Sequence, residues 1–384
     1  MSFLDRFQNK QSKNSQGVLN LTCTEDTVKD ALRNVIDPDL NRDIVSLGFV
    51  TSIEILEGKV SVTIELTTPA CPVKELLQKQ CKEHIQNIPG IKEAVVTMTA
   101  QTRGAGIKPA NIQKSLGQVK NLIAVASGKG GVGKSTTAVN LAFSLANSGA
   151  KVGLLDADVY GPSLTQMTKV GLPEKSVDGM LVPPVVDNVK IISIAMFNDK
   201  SKATILRGPM AAQIIKQFLS QVHWGELDYL IIDYPPGTGD IQLTISQLAP
   251  VTAAVIVTTP QEVALVDVRK AISMFDTLKV PILGVIETMS YFICDGCDKQ
   301  HHLYGYGGGE KISNQFGIPV LANIPIEPKL VECSDKGTPI VISNKNNPAA
   351  AAYQKAGGEC ARHLSLLHLK NKDALTQFSL KWRP

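Results

Sequence analysis

Short apolar runs alternate with helical segments from Lys120 onward. The runs are nearly continuous and rich in Val, Ile, Leu and Ala, and we predict a strand for each of them: Leu122–Ala126, Val152–Leu155, Tyr229–Asp233, Ala253–Thr258, Ile282–Ile286 and Val320–Ala322. Strands that are apolar on both faces are typical of a parallel sheet covered by helices. This pattern predicts an α/β fold with a mostly parallel sheet, and ligands bind such sheets at the carboxyl ends of the strands.

A different pattern occupies the chain between Thr24 and about Ala100. A helical spacing comes first, and two alternating strands, a second helix and a third strand follow, at Glu25–Val35, Val50–Ile55, Lys59–Leu66, Val73–Gln86 and Lys92–Met98. Glu57 and Gly58 provide the turn between the first two strands. The order of these elements predicts a small α+β domain.

These changes of pattern also predict the domain boundaries. We expect a mobile polar tail at 1–23, the α+β domain at 24–100, a linker at 101–119, the α/β domain at 120–370 and a C-terminal tail at 371–384. The stretch from Ala349 to Pro384 mixes apolar and basic residues. A helix packed on the outer surface of the domain is the favoured interpretation, and a membrane-targeting amphipathic helix is the alternative. Gly357 and Gly358 are expected to interrupt any long helix there.

Composition narrows the class of protein. Of the 384 residues, 43% are hydrophobic and 19% are charged, and the formal net charge is +4. These values are ordinary for a globular protein and give no argument for nucleic-acid binding. No apolar run approaches the roughly 20 residues of a membrane span. The seven cysteines form no regular framework, which favours a reducing, cytoplasmic setting over a disulfide scaffold.

One segment fits the phosphate-binding pattern G-x-x-x-x-G-K-[ST] and lies between a predicted strand and a predicted helix. Its glycines let backbone N–H groups approach a phosphate, and the helix N-terminus adds a favourable dipole. Lys134 is expected to reach the β- and γ-phosphates of a nucleotide, and Ser135 to ligate Mg²⁺. The nucleotide-binding residues predicted here are Gly128, Lys129, Gly130, Gly131, Val132, Gly133, Lys134, Ser135 and Thr136.

Acidic residues follow two of the predicted strands. Asp233 is our candidate for the carboxylate that holds the Mg²⁺ shell through water. Asp158 is our candidate for positioning or polarising the attacking water, and a helix cap is the alternative role for Asp156 or Asp158. In the loop after Asp233, the amide of Gly237 is expected to contact the γ-phosphate, although the same residues would also suit an ordinary turn.

A Cys-x-x-Cys loop, Cys294 to Cys297, brings two thiolates within reach of one metal. The residues alone leave three interpretations open: a redox pair, a zinc site completed by the nearby His301 and His302, and an iron–sulfur cluster. A four-iron cluster usually needs four thiolates, and this loop supplies two. Such a cluster would therefore need the same loop from a second subunit, across a twofold axis.

The string GKGGVGKST resembles the deviant P-loop of the MinD/ParA-type ATPases. In that type an early lysine reaches the nucleotide of the partner subunit, so the resemblance implies a homodimer in which Lys129 acts across the interface. Together with that string, four further motifs resemble the Mrp/ApbC/Nbp35 family: DADVYGPS, DYPPGTGD, the Cys-x-x-Cys loop and GGGEKI. The resemblance extends over about Gln118–Ile342. Members of this family are P-loop ATPases that act as iron–sulfur cluster carriers or scaffolds.

The resemblance implies a set of cofactors, partners and roles. ATP, Mg²⁺ and a 4Fe-4S cluster would be bound, with Cys294 and Cys297 of both subunits holding the cluster. Apo iron–sulfur proteins and cluster assembly factors would be partners, with no nucleic acid and no membrane span. Pro325 falls where the family wraps the purine, although it would also stiffen a loop. The residues that would carry hydrolysis are Lys129, Lys134, Asp158 and Asp233.

Other features qualify this resemblance. Thr288 stands where the family commonly has an asparagine that contacts the adenine base. The N-terminal strings DPDLNRDIVSLGFV and TTPACP resemble the MIP18-type domain, in which a cysteine like Cys71 is associated with iron–sulfur assembly; a buried apolar role is the alternative. The four-cysteine motif of the eukaryotic relatives is lacking, so the resemblance is to the bacterial type. Two rival functions remain: a ParA/MinD-like positioning ATPase and a zinc-stabilised regulatory ATPase.

Overall fold

The computed structural model of the chain describes residues 23–102, 104, 113–176, 178–197 and 208–377. These residues form two compact units. The first takes its described residues from Met1–Glu65 and Glu75–Met98, and the second from Leu66–Lys74 and Thr99–Pro384. Of the predicted tails and linker, residues 1–22, 103, 105–112 and 378–384 lie outside the described residues.

The first unit has the two helices and three strands that its pattern predicts, and in addition a pair of two-residue strands, at Ile36–Asp37 and Arg42–Asp43, that was not predicted. Its elements are α1 (Glu25–Leu32), β1 (Ile36–Asp37), β2 (Arg42–Asp43), β3 (Val50–Leu56), β4 (Lys59–Leu66), α2 (Lys74–Gln86) and β5 (Glu93–Ala100). Three strands form a sheet in the order β3-β4-β5, and β3 pairs with β4 in antiparallel fashion. Along β4 every second side chain is buried, because one face of the sheet covers the core of this unit.

The second unit alternates strands and helices. Its elements are α3 (Gln113–Leu116), β6 (Val119–Ser127), α4 (Lys134–Asn147), β7 (Val152–Asp156), α5 (Leu164–Thr168), β8 (Glu174–Lys175), β9 (Leu181–Val182), β10 (Val185–Val186), β11 (Val189–Ser193), α6 (Gly208–Gln221), β12 (Leu227–Asp233), α7 (Asp240–Leu248), β13 (Ala253–Thr258), α8 (Glu262–Thr277), β14 (Ile282–Glu287), β15 (Phe292–Ile293), β16 (Gln300–His301), α9 (Gly308–Phe316), β17 (Val320–Asn323), α10 (Pro328–Asp335), α11 (Ile340–Ser343) and α12 (Pro348–Gln377).

An eight-stranded sheet organises the second unit, in the order β10-β11-β7-β12-β6-β13-β14-β17. Every neighbouring pair is parallel except β10 with β11, and all six predicted strands belong to it. The sequence analysis missed β10 and β11, since a two-residue strand and a five-residue run that contains Lys190 do not stand out from a loop. Because the strands are parallel, the loops after β6, β7, β12 and β14 emerge at one edge.

The C-terminal helix α12 is continuous through Gly357 and Gly358, so the prediction that these glycines interrupt a long helix is wrong. A Cβ atom at Gly357 would lie 2.5 Å from Ser144 Oγ and 3.1 Å from Ser144 Cβ on α4. Glycine therefore permits close packing of the two helices, and burial of Tyr353 and Cys360 offsets its low helix propensity. Among the described helices, none combines the length and the apolar character that a membrane crossing requires.

The loop between β4 and α2 belongs to the second unit. The hydroxyl groups of Thr68 and Tyr229 lie 2.8 Å apart, and Ala70 is part of the hydrophobic core of that unit. The half-buried Cys71 follows in the same loop. Pro69 lies next to Gly149, which precedes β7, so this loop is at the amino ends of the strands, opposite the edge that carries the P-loop.

Candidate functional site

The P-loop connects the carboxyl end of β6 to the first residue of α4, Lys134. Gly133 precedes the helix in the left-handed region with φ of 79°, which a residue with a Cβ rarely adopts. Gly128 is required for another reason, because a Cβ atom there would lie 2.3 Å from the backbone carbon of Asp267 on α8. The structure therefore places the predicted phosphate-binding loop between the central strand and a helix N-terminus, in the geometry that binds anions.

Three of the predicted hydrolytic residues lie together at this edge. The Lys134 ammonium is 2.6 Å from Asp233 Oδ1 and 3.5 Å from Asp158 Oδ2, and it also contacts the Ser135 hydroxyl at 3.3 Å. Strand register accounts for part of this arrangement, because Asp233 ends β12 directly beside Asp156, which ends β7. A polyphosphate that enters the P-loop would compete with these carboxylates for the ammonium group.

Asp233 has an unusual environment for a carboxylate. It is fully buried, and burial raises its pKa while the Lys134 ammonium opposes that shift. Its Oδ2 atom accepts no hydrogen bond from the described residues, although buried polar atoms nearly always have a partner. An unpartnered carboxylate oxygen near the Ser135 hydroxyl is a donor set that suits Mg²⁺, so these residues fit the predicted ion.

Asp156 supports the site rather than capping a helix. Its Oδ1 accepts the backbone N–H of Asp158 at 3.1 Å, and its Oδ2 accepts the hydroxyl of Ser193 at 2.8 Å. The next helix, α5, begins later and follows Ser163, so neither acid is its cap. Ser193 ends β11, a strand that the sequence analysis missed, so the contact of Ser193 with Asp156 was not predicted either.

The buried Asp156 should make the stability of the nucleotide-free protein depend on pH. Burial first, and the charge of Asp233 second, raise the pKa of Asp156 to about 8. The folded state then keeps a proton that the unfolded chain releases near pH ~4, so stability is full at low pH and falls by about 1.4 kcal/mol per pH unit as the pH rises toward the folded pKa. We expect the thermal midpoint to fall more between pH 6 and pH 8 in the wild type than in Asp156→Asn, measured by calorimetry in metal-free buffer. Parallel curves for the two proteins would show that Asp156 is already ionised.

Two residues that were predicted to contact phosphate, Lys129 and Gly237, make other hydrogen bonds in this structure. The Lys129 side chain is half-buried and has no ion-pair partner within the described ranges, and its carbonyl accepts the Ser127 hydroxyl at 2.9 Å. The amide of Gly237 donates to the Ser127 carbonyl at 3.0 Å. Contact of that amide with a γ-phosphate would require this bond to break. The roles of Lys129 and Gly237 therefore stay predictions.

The cysteine loop, which we define as residues 291–307, follows the carboxyl end of β14 and begins with the β15–β16 hairpin. Cys294 donates its N–H to the Lys299 carbonyl at 3.0 Å, and its own carbonyl accepts the N–H of Asp298 at 2.9 Å. Cys294 is half-buried and Cys297 is exposed. The backbone N–H of Gly296, followed by contact with Cys297, lowers the pKa of the Cys294 thiol. The tip of this loop therefore presents two accessible sulfurs, one of them predisposed to be a thiolate.

The nearby histidines do not complete a metal site in this arrangement. His302 Nδ1 donates to the Ser290 carbonyl at 3.0 Å, and its ring stacks edge-on against Tyr306. Within the part of the chain that the structure describes, no three His, Cys, Asp or Glu side chains are grouped to hold a metal ion. The zinc interpretation with His301 or His302 therefore lacks a third ligand in this arrangement of the described residues.

A cavity of about 390 Å³ adjoins the P-loop. Its lining includes Gly133 and Thr136 from the start of α4 together with Pro325 and Leu330, so the predicted Pro325 borders the same cavity as the phosphate-binding loop. Thr288 also borders the cavity, but its hydroxyl is 2.6 Å from the Val132 carbonyl and 2.9 Å from the Thr258 carbonyl. The hydroxyl is therefore engaged by the backbone rather than directed to a base.

The sequence of this chain matches two protein families and several known proteins. A family model described as a NUBPL iron-transfer P-loop NTPase matches residues 118–360, and one described as an iron-sulfur cluster assembly protein matches residues 25–98. An iron-sulfur cluster carrier protein of Synechocystis sp. is 46% identical over 354 residues, which cover 90% of this chain and 99% of that protein. The iron-sulfur cluster carrier protein of Escherichia coli (strain K12) is 39% identical, covering 88% of this chain and 91% of its own.

A solved structure agrees with these matches. The nucleotide-binding protein from Archaeoglobus fulgidus in complex with ADP is 38% identical, with a TM-score of 0.55 over 62% of this chain and 93% of that one. The predicted resemblance and fold class, an α/β P-loop NTPase of the MinD/ParA type with a small N-terminal α+β domain, are confirmed. The chain belongs to the family of iron-transfer P-loop NTPases, joined at its N-terminal side to a domain of the iron–sulfur cluster assembly family.

Proposed function

We propose that the protein hydrolyses ATP and carries a 4Fe-4S cluster, which it binds between two subunits and transfers to apoproteins. One observation carries the proposal: an accessible Cys294–Cys297 pair with no further metal ligand in the described residues follows β14 at the sheet edge that also bears the P-loop. The relatives named iron-sulfur cluster carrier proteins support it.

The nucleotide-dependent part of the mechanism starts from the ion pairs of Lys134 with Asp233 and Asp158. Binding of a triphosphate would draw the ammonium from Asp233 and Asp158 toward the β- and γ-phosphates. Asp233, through water, and Ser135 would hold Mg²⁺, which neutralises phosphate charge during transfer. Asp158 would then be free to orient the attacking water, and Lys129 would reach the nucleotide of the partner subunit.

The cluster half depends on the number of sulfurs. A four-iron cluster takes four thiolates, so two cysteine loops related by a twofold axis would complete its ligand set. Exposure of Cys297 leaves room for the thiolates of an apoprotein to replace it one at a time. A change of dimer geometry on ATP hydrolysis would weaken this shared site and favour release. A reducing cytoplasm suits such thiolates, and the described cysteines form no disulfide.

Metal analysis combined with a mass measurement tests the proposal. Protein purified without oxygen, or reconstituted with iron and sulfide, should contain about four irons and four sulfides per dimer, and should sediment as a dimer that carries the brown chromophore. Stoichiometric zinc in a colourless protein would support the zinc-stabilised regulatory ATPase instead. A positioning ATPase would show hydrolysis stimulated by DNA or lipid, and Cys297→Ala would leave that stimulation unchanged.

A further inference from the structure

The side chain of Glu287 joins the two ends of the cysteine loop. This residue ends β14 and is 1% exposed. Its Oε1 accepts the hydroxyl of Ser290 at 2.6 Å, just before the loop, and its Oε2 accepts the N–H of Gly309 at 2.6 Å, just after it. Gly309 is in the first turn of α9, so the carboxylate is also stabilised by the helix N-terminus. The base of the loop is thus closed by one buried carboxyl group.

Ser290 extends this clamp into the loop. Its carbonyl accepts His302 Nδ1 at 3.0 Å, and its N–H donates to the Ile324 carbonyl at 3.0 Å. Between Glu287 and Ser290 the backbone turns sharply at Met289, which has φ of 52° although it is not glycine. Such a conformation costs of order 1 kcal/mol and persists only where the surroundings enforce it. The turn lets the Ser290 hydroxyl reach back to Glu287.

The adjacent Thr288 contacts the P-loop. Its hydroxyl has one proton and two acceptors, the Val132 carbonyl at 2.6 Å and the Thr258 carbonyl at 2.9 Å. Val132 precedes Gly133, the residue from which α4 and the phosphate site begin. The backbone N–H of Thr288 also donates to the Thr258 carbonyl, at 2.8 Å. The hydroxyl can therefore exist in two states, bonded to the P-loop or bonded to the sheet.

We propose that Glu287 and Thr288 form a latch that transmits the nucleotide state of the P-loop to the cysteine loop. A shift of the Val132 carbonyl on nucleotide binding moves the Thr288 proton to Thr258. Glu287 immediately precedes Thr288. The backbone shift of Thr288 that accompanies this exchange of acceptors therefore displaces the carboxyl group that clamps Ser290 and Gly309. Both residues act by positioning others, and the inference rests on the proposed cluster site while adding its route of regulation.

The test uses the metal-free protein, so that its outcome does not depend on cluster binding. The alkylation rates of Cys294 and Cys297 are measured by peptide mass spectrometry, with and without saturating Mg²⁺ and a non-hydrolysable ATP analogue. We expect nucleotide to change the alkylation rates of the wild type by roughly 5-fold, which corresponds to the low end of the usual range of coupling free energies between two sites. Thr288→Val, which removes the hydroxyl but keeps the shape, should reduce that ratio below about 2-fold, because the hydrogen bond it removes accounts for most of such a coupling. Ser290→Ala breaks the clamp without touching the nucleotide pocket and should do the same.

Matched control variants distinguish loss of the latch from a general loss of stability in this part of the protein. Glu310→Gln removes an exposed carboxylate in the first turn of α9, and Thr277→Val removes an exposed hydroxyl at the end of α8; both should keep the wild-type ratio. Nucleotide affinity is determined for each variant, so that all ratios refer to saturated protein. Wild-type ratios in both Thr288→Val and Ser290→Ala would overturn the latch, as would a wild-type rate that nucleotide does not change. Failure to bind iron would instead overturn the carrier proposal and leave the alkylation result valid.

Discussion

Replacing Cys294 by alanine is expected to abolish stable binding of the iron–sulfur cluster. In the proposed dimer this change removes two of the four thiolates at once, one from each subunit, and a four-iron cluster is not retained by the remaining two. After anaerobic reconstitution with iron and sulfide, we expect the visible absorption and the bound iron of Cys294→Ala to fall to background. Cys297→Ala should have the same effect.

The control for this experiment is Cys360→Ala. Cys360 is fully buried on α12, so its thiol is not accessible to a cluster, and burial raises the pKa of that thiol to about 12. This variant should bind as much iron as the wild type, and its loss of stability should be small because Cys and Ala differ by one buried atom. A Cys294→Ala protein that holds the same cluster as the Cys360→Ala protein would contradict the assignment of the cysteine loop.

Replacing Lys134 by alanine is expected to remove ATP hydrolysis. The ammonium belongs to the first residue of α4, directly after the P-loop. Loss of such a charge-stabilising group usually lowers kcat by about 10²- to 10³-fold. The same change leaves the carboxylates of Asp233 and Asp158 without their partner, and breaking a buried ion pair typically costs 3–5 kcal/mol, roughly, in the free energy of unfolding. Phosphate release and thermal unfolding of the nucleotide-free protein measure the two effects.

Two further variants separate catalysis from folding. Lys151→Ala also breaks an ion pair, with Glu226 at 2.7 Å, but both partners are exposed, so stability should change by less than about 1 kcal/mol and hydrolysis should be unaffected. Asp158→Asn keeps the shape of the residue while it removes the charge beside the expected water. It should fold normally and lose hydrolysis. Normal hydrolysis by folded Lys134→Ala or Asp158→Asn would contradict the proposed roles.

The sequence predicted those parts of the site that depend on local pattern. The phosphate-binding loop could be recognised because its glycines and Lys134 occupy fixed spacings between a strand and a helix. The same holds for Asp233 and the Cys-x-x-Cys pair. Parallel strands bring their carboxyl ends to one edge, so the prediction that Lys134 and the acids would gather there needed no knowledge of strand order.

Ser193, Glu287 and Thr288 could not be assigned roles in the same way. The contact of Ser193 with Asp156 requires β11 to lie beside β7, and the contact of Thr288 with Val132 joins residues that are 156 positions apart. No spacing rule connects such pairs. Gly357 is a similar case. The low helix propensity of glycine predicted a break in α12, but close packing against Ser144 keeps the helix continuous.

The sequence by itself determined the six main strands, the phosphate-binding loop and the pair of sulfurs, because each follows from the periodicity or chemistry of neighbouring residues. The tertiary structure alone decided which carboxylate holds Lys134, which backbone groups engage Thr288, and that the cysteine pair has no histidine partner among the described residues. The physical reason is that these features depend on strand order and register. Both are set by burial of the whole sheet rather than by any local segment.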